Sequence, residues 1–306
     1  MRTFFSPGVR ELGAPIERES AADVVFGRPL SLQTASAGFT LVELAVVVLF
    51  VVFMACLLAP ALAKTKTNGA AFQCLNNHRQ LTMAWRMYAE DAHDLILYAS
   101  DDGSGTNNPL NQYAWTQTYL DSNPPNRASW DISYLKRSPL WPYCNSNSLI
   151  WRCPSDRSYV VVNGNPRPRI RSFGMNTYLG GYAGTDGGWG FASNYRIYFK
   201  TSELSPPGPA RISVLVDLLP DSASWPDFFT PMTGYSPRAP SLYSFGDFPG
   251  SHHSGMGSVS FADNHAELPR WRDPRTMTPG ISPEPSAPSP NNQDIAWLQD
   301  HSTRPK

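Results

Sequence analysis

The chain has 306 residues, room for one or two domains, and its 25 basic residues balance 25 acidic ones to a net charge of zero. That balance excludes an argument from composition for a nucleic-acid-binding surface. With 29 prolines, 22 glycines and 12% aromatic residues, a loop-rich, β-containing domain fits better than a helical bundle.

Residues 1–38 carry four arginines and four acids without hydrophobic periodicity, and read as a disordered leader on the cytoplasmic side. From Leu44 to Ala63 twenty consecutive residues carry no charge. Such a run makes about 30 Å of helix, enough to cross a hydrocarbon core, and it predicts a membrane span. Glu43 stands at its N-terminal edge, where burial in lipid is costly unless the carboxylate finds a cationic partner. A cut after Gly38 would free an amine on Phe39 about one helical turn from Glu43, and the same amine on a neighbouring copy could pair with that carboxylate. Within the run, Cys56 reads as a lipid-facing or helix-packing residue.

Gly38-Phe39-Thr40-Leu41-Val42-Glu43 resembles the type IV prepilin signature, in which a peptidase cuts after Gly, the new N-terminal Phe is methylated and a Glu stands fifth in the mature chain. Counted from Phe39, Glu43 is fifth and Pro60 twenty-second, where many pilins and pseudopilins carry proline. Ala35-Ser36-Ala37 departs from the basic cluster usual before the cleaved Gly, and Lys64 and Lys66 lie beyond the far end of the span.

Ala71, Cys74, Leu75, His78, Leu81, Trp85 and Tyr88 recur at spacings of three and four, which predicts an amphipathic continuation of the helix to about Asp91, with Pro60 bending it. Asp101-Asp102-Gly103-Ser104-Gly105 is a strong turn, either solvated or converging oxygens on a hard cation. Cys144 and Cys153, separated by eight residues, could close a short disulfide loop. The contexts of Cys74 and Cys153 recur in the same pilin-like family, and the resemblance offers that pair as the rival bridge.

Residues 170–179 read as a strand entering a loop, 195–199 have strong β propensity, and 211–217 are the best candidate for a buried strand. The glycine-rich tract between them lacks the Lys-Ser/Thr of a phosphate cradle. Val259 and Phe261 alternate with small residues on a strand that turns at Asp263-Asn264 and returns from His265 to Trp271. Nine residues separate His253 from Asp263, and the arrangement resembles a family motif of His, nine residues, Asp and Gly near the C-terminus of prepilin-like proteins. Asn264 replaces that Gly and tolerates the left-handed conformation next best. His253, Asp263 and His265 could ligate a metal; alternatively Asp263 and His253 hydrogen-bond backbone groups that fix the hairpin. A Pro/Ser-rich linker follows from Pro274, and residues 291–300 read as a short docking helix. There is no Gly-x-Ser-x-Gly elbow, and the chain is not expected to be an enzyme.

The expected fold is α+β: a long N-terminal helix, its first half transmembrane, packed on a small antiparallel sheet with long loops. The expected divisions are a leader at 1–38, the transmembrane half of the helix at 39–63, its amphipathic half at 64–94, an extracytoplasmic pilin-like domain at 95–273, and a linker with docking helix at 274–306. The resemblance implies a pseudopilin-like subunit cut at Gly38/Phe39 by a prepilin peptidase/methyltransferase and assembled through Phe39 and Glu43 with other pilin-like subunits. The filament would be of the type II secretion or type IV pilus kind, in the inner membrane as a single-pass protein with its C-terminal domain outside the cytoplasm. No cofactor, metal or nucleic acid is expected. The alternative is a monomeric membrane-anchored binding module recognising a glycan or other polymer through Trp189, Trp225 and Tyr235.

Overall fold

The computed structural model describes residues 38–102, 108–119, 126–185, 194–220, 225–277 and 287–306. Helix α1 spans Leu41–Asp91 and runs on through Pro60. It opens on a reciprocal cap. Thr40 Oγ1 accepts from the Glu43 N–H at 3.2 Å, and the Glu43 carboxylate accepts from the Thr40 N–H at 2.9 Å and its hydroxyl at 2.8 Å. This Thr-x-x-Glu box satisfies amide groups that a helix start leaves without partners. The chain forms two compact units, one ending at Ala55 and the other Cys56–Lys306.

The membrane reading does not hold: among the described residues no helix is long and apolar enough to cross a membrane. The transmembrane half of the expected fold, and the single-pass inner-membrane location built on it, are therefore corrected.

The second unit is mixed α+β. A five-stranded sheet is ordered β5 (Asp227–Phe228), β3 (Phe173–Asn176), β4 (Ser213–Asp217), β7 (Val259–Phe261), β8 (Ala266–Glu267). Two further pairs stand apart, β1 (Tyr159–Val162) with β2 (Asn165–Pro168), and β6 (Ser244–Phe245) with β9 (Ala287–Pro288). The sheet is mixed rather than purely antiparallel, because β5 pairs in parallel with β3. β4 runs antiparallel to β3, so a chain that reverses once more after β4 and crosses to the free edge of β3 arrives in the same direction as β3.

The two faces of the sheet hold different partners. On one face lie Phe173, Met175 and Leu215, packed with Cys74, Leu81 and Trp85 of α1. There the His78 ring lies tilted against Phe173 with ring centroids 4.1 Å apart, and the Thr82 hydroxyl donates to Ser260 Oγ at 2.7 Å. On the other face Val216, Val259 and Phe261 pack against Ile295 and Leu298 of α2 (Gln293–Asp300), whose first turn is capped by Asn292. A register shift between Ser213 and Leu215 adds one residue to β4, so that Val214 joins Leu215 on the α1 side while Val216 faces α2. Asn176 ties β3 to its surroundings: its amide donates to Ser213 O at 3.0 Å and Ser302 O at 2.9 Å, and its oxygen accepts from the Tyr178 N–H at 3.1 Å. In the loop-rich part Trp115 and Trp151 stack, 5.5 Å between centroids and 10° from parallel, with the Arg171 guanidinium over Trp115.

Candidate functional site

The residues expected to govern processing and assembly lie together at the start of α1. Phe39 is 77% exposed, and a Cβ built on Gly38 would meet nothing within 4 Å. Glu43 is held by the cap described above, and those Thr40 hydrogen bonds lower its pKa below the ordinary carboxylate value. Beyond it, every large apolar side chain from Phe39 to Met54 is exposed, by between 38% and 84%. Val46 to Phe53 are consecutive, which at 3.6 residues per turn places apolar groups on all sides of the helix. An α-helix apolar all round is a form found buried, in a core or against other helices.

The C-terminal motif divides. Asn264 takes φ 77°, the left-handed turn conformation, and its N–H donates to Phe261 O at 2.8 Å. Asp263 Oδ1 accepts from the His265 N–H at 3.1 Å and lies 2.5 Å from His265 Nδ1, both side chains partly exposed. His253 is elsewhere, buried against Cys153 with Nε2 3.3 Å from its Sγ. The metal set of His253, Asp263 and His265 is therefore not assembled. A strand and turn lie between His253 and Asp263, and they carry the aspartate to the exposed tip while the histidine stays in the core.

The Cys144–Cys153 bridge is not formed; both thiols are free and buried. Residues 142–151 fold as two 3-10 turns, Pro142–Cys144 and Ser148–Trp151, separated by left-handed Asn145 and Ser146, rather than as a closed loop. Burial pushes the Cys144 thiol up to about 12. Cys153 instead joins Cys74, Asp217 and His253, four buried groups whose ligating atoms all lie within 4.8 Å of one another. They come from α1, the turn after the second 3-10 segment, the end of β4 and the loop before β7.

Asp217 is fully buried, and the Cys153 thiol and the Leu218 N–H act on its carboxyl from outside ordinary hydrogen-bond geometry. Burial, then the nearness of Cys153 and Asp156, raises its pKa well above the usual value. His253 is lowered to about 4 by burial and then by His252. Its Nδ1 lies 3.4 Å from Ser155 Oγ, and Ser258 Oγ donates to Cys74 Sγ at 3.1 Å. Gly250 makes room for the carboxylate: a Cβ there would come within 2.8 Å of Asp217 Cγ and 3.0 Å of Oδ2.

Elsewhere the acidic turn offers no open ligand set among the described residues. Tyr119 donates to Asp101, the Asn111 amide donates to Asp102 Oδ1 at 3.0 Å, and residues 103–105 lie outside the described residues. The aromatics of the binding-module alternative are only partly within the described residues. Trp225 is half-buried and edges onto Tyr119 and Tyr182, Tyr235 is half-buried and donates to Asp300 Oδ1 at 3.2 Å, and Trp189 lies outside the described residues. Two features went unread in the sequence although a signal existed. Thr40-x-x-Glu43 is a capping-box pattern, and Asn163-Gly164, both at positive φ, is the turn that pairs β1 with β2. The four-residue cluster had no such signal, since no two of its members share a local spacing. No protein-family model, curated protein or solved structure matches the chain.

Proposed function

We propose that the chain is a pseudopilin-like structural subunit that, once a prepilin peptidase has cut behind Gly38, assembles with copies of itself or similar subunits into a filament of the type II secretion or type IV pilus kind. The observation that supports this reading is the exposed apolar surface running from Phe39 to Met54 on every side of α1. Copies of the same segment supply the apolar surroundings such a surface calls for.

Glu43 sets the register. The Thr40 cap holds its carboxylate at the helix start, beside the residue whose amine the cut would free. In an assembled bundle, where the surroundings are apolar, the Phe39 amine of one subunit and the Glu43 carboxylate of the next attract far more strongly than they would in water. The test is the mature N-terminus together with Glu43→Ala. The native protein should begin at a methylated Phe39, and the variant should be cut normally yet fail to enter filaments. A native chain that still begins at Met1, or normal incorporation of the variant, would overturn the reading.

A further inference from the structure

Beyond assembly, and independent of it, the buried cluster on the α1 face of the sheet carries a second inference. We propose that Cys74, Cys153, Asp217 and His253 form a four-ligand site for one Zn²⁺ ion that fastens α1, the Cys-Pro turn, the central strand β4 and the loop before β7 to one another.

The chemistry of the donor set points to zinc. Two thiolates, one imidazole and one carboxylate are all donor types that zinc, a borderline cation, takes in tetrahedral sites. With bonds of about 2.0–2.3 Å, tetrahedral coordination places donors roughly 3.3–3.8 Å apart. The four ligating atoms already lie within 4.8 Å of one another, and Cys153 Sγ and His253 Nε2 at 3.3 Å. Closing the set therefore needs side-chain shifts of about 1 Å at most.

Asp217 adds an independent reason for a cation at this site. A fully buried carboxyl group without a well-formed hydrogen bond disfavours its ionised form, and a bound cation would supply the charge partner that form lacks. None of the ion pairs among the described residues includes it. A divalent cation bound between Asp217 and the two sulfurs fills that role. On binding, Zn²⁺ displaces the two thiol protons and the carboxyl proton to solvent, while the imidazole binds neutral through its Nε2 lone pair.

The supporting groups are in place. Ser155 Oγ can accept from His253 Nδ1–H, which turns the Nε2 lone pair toward Cys153, and Ser258 donates to the Cys74 sulfur. Gly250 leaves the space beside the carboxylate. A surface pocket of about 630 Å³ lined by Asn77, Arg152, Asp156 and Ile170 reaches Cys153, the one member of the cluster among its lining residues. All four positions are protein ligands, so the site is closed and structural rather than catalytic. Its binding free energy is folding free energy.

The test uses the full chain, isolated reduced. Metal analysis should find one zinc per chain, and replacement by Co²⁺ should give the visible bands of a tetrahedral ion with thiolate charge transfer. Chelation should lower Tm and Zn²⁺ should restore it. Cys153→Ser and His253→Gln should weaken retention at least about 100-fold, Ser155→Ala about 10-fold, and Cys144→Ser, a buried thiol outside the cluster, not at all. The wild-type cobalt spectrum needs no variant to fold. Failure of the reduced chain to bind Zn²⁺ or Co²⁺ would overturn the proposal. So would a Cys74–Cys153 disulfide in the native protein, or equal loss of metal in Cys144→Ser.

Discussion

Phe50→Ala tests whether the exposed surface of α1 is an assembly surface. Phe50 is 62% exposed in the single chain. If its ring gives up roughly 100 Å² of accessible surface to neighbouring helices, at about 25 cal/mol per Å², the side chain stabilises each subunit in the assembly by about 2–3 kcal/mol. Its loss should raise the concentration at which subunits begin to assemble by roughly 30- to 150-fold. Sedimentation of the processed protein over a concentration series reads that threshold directly. Leu149→Ala is the control, since Leu149 is 77% exposed but belongs to the second unit and not to the apolar segment. An unchanged threshold in Phe50→Ala, or an equal rise in Leu149→Ala, would refute the reasoning, because the effect would then not come from burial of this segment.

Two substitutions probe the second unit. Asn176→Ala strands two buried carbonyls and one N–H, which at about 1 kcal/mol or more each should cost about 3 kcal/mol in urea unfolding; a loss below about 1 kcal/mol would mean that the ties to Ser213 and Ser302 contribute little. At Asn264, φ 77° favours glycine, and the side-chain oxygen is buried without a partner. Asn264→Gly should therefore hold or raise Tm, whereas Asn264→Val should cost about 1–2 kcal/mol. Equal stability of these two variants would contradict the left-handed assignment.

What could be read in the sequence follows from what local chemistry encodes. The apolar run at 211–217 became β4 because an uninterrupted set of buried residues has one stable home, the centre of a sheet covered on both faces. The stripe from Ala71 to Trp85 placed its cysteine, leucine and tryptophan in the core for the same reason, at helical rather than strand spacing. Residues 195–199, with equal β propensity, form only isolated bridges, Tyr195 to Pro305 and Tyr198 to Leu179, because their partners are irregular segments. The membrane span is not borne out: a charge-free run records hydropathy alone, and among the described residues no helix is long and apolar enough to cross a membrane. Cys74 and Cys153 were paired only as a rival bridge and His253 only in the hairpin motif; that they meet with Asp217 in one cluster comes from the pairing of β4 with β3 and β7 and the docking of α1.

The parallel stack of Trp115 on Trp151 has an optical consequence. Two indoles stacked this closely couple their transition dipoles, and any rotation of one ring over the other gives the pair its own contribution to the circular dichroism. Because the two rings sit on separate loop segments, that signal vanishes when the segments part, even if the helices persist. Subtracting the spectrum of Trp115→Phe isolates it from the chain's other tryptophans and leaves an intrinsic gauge of loop closure.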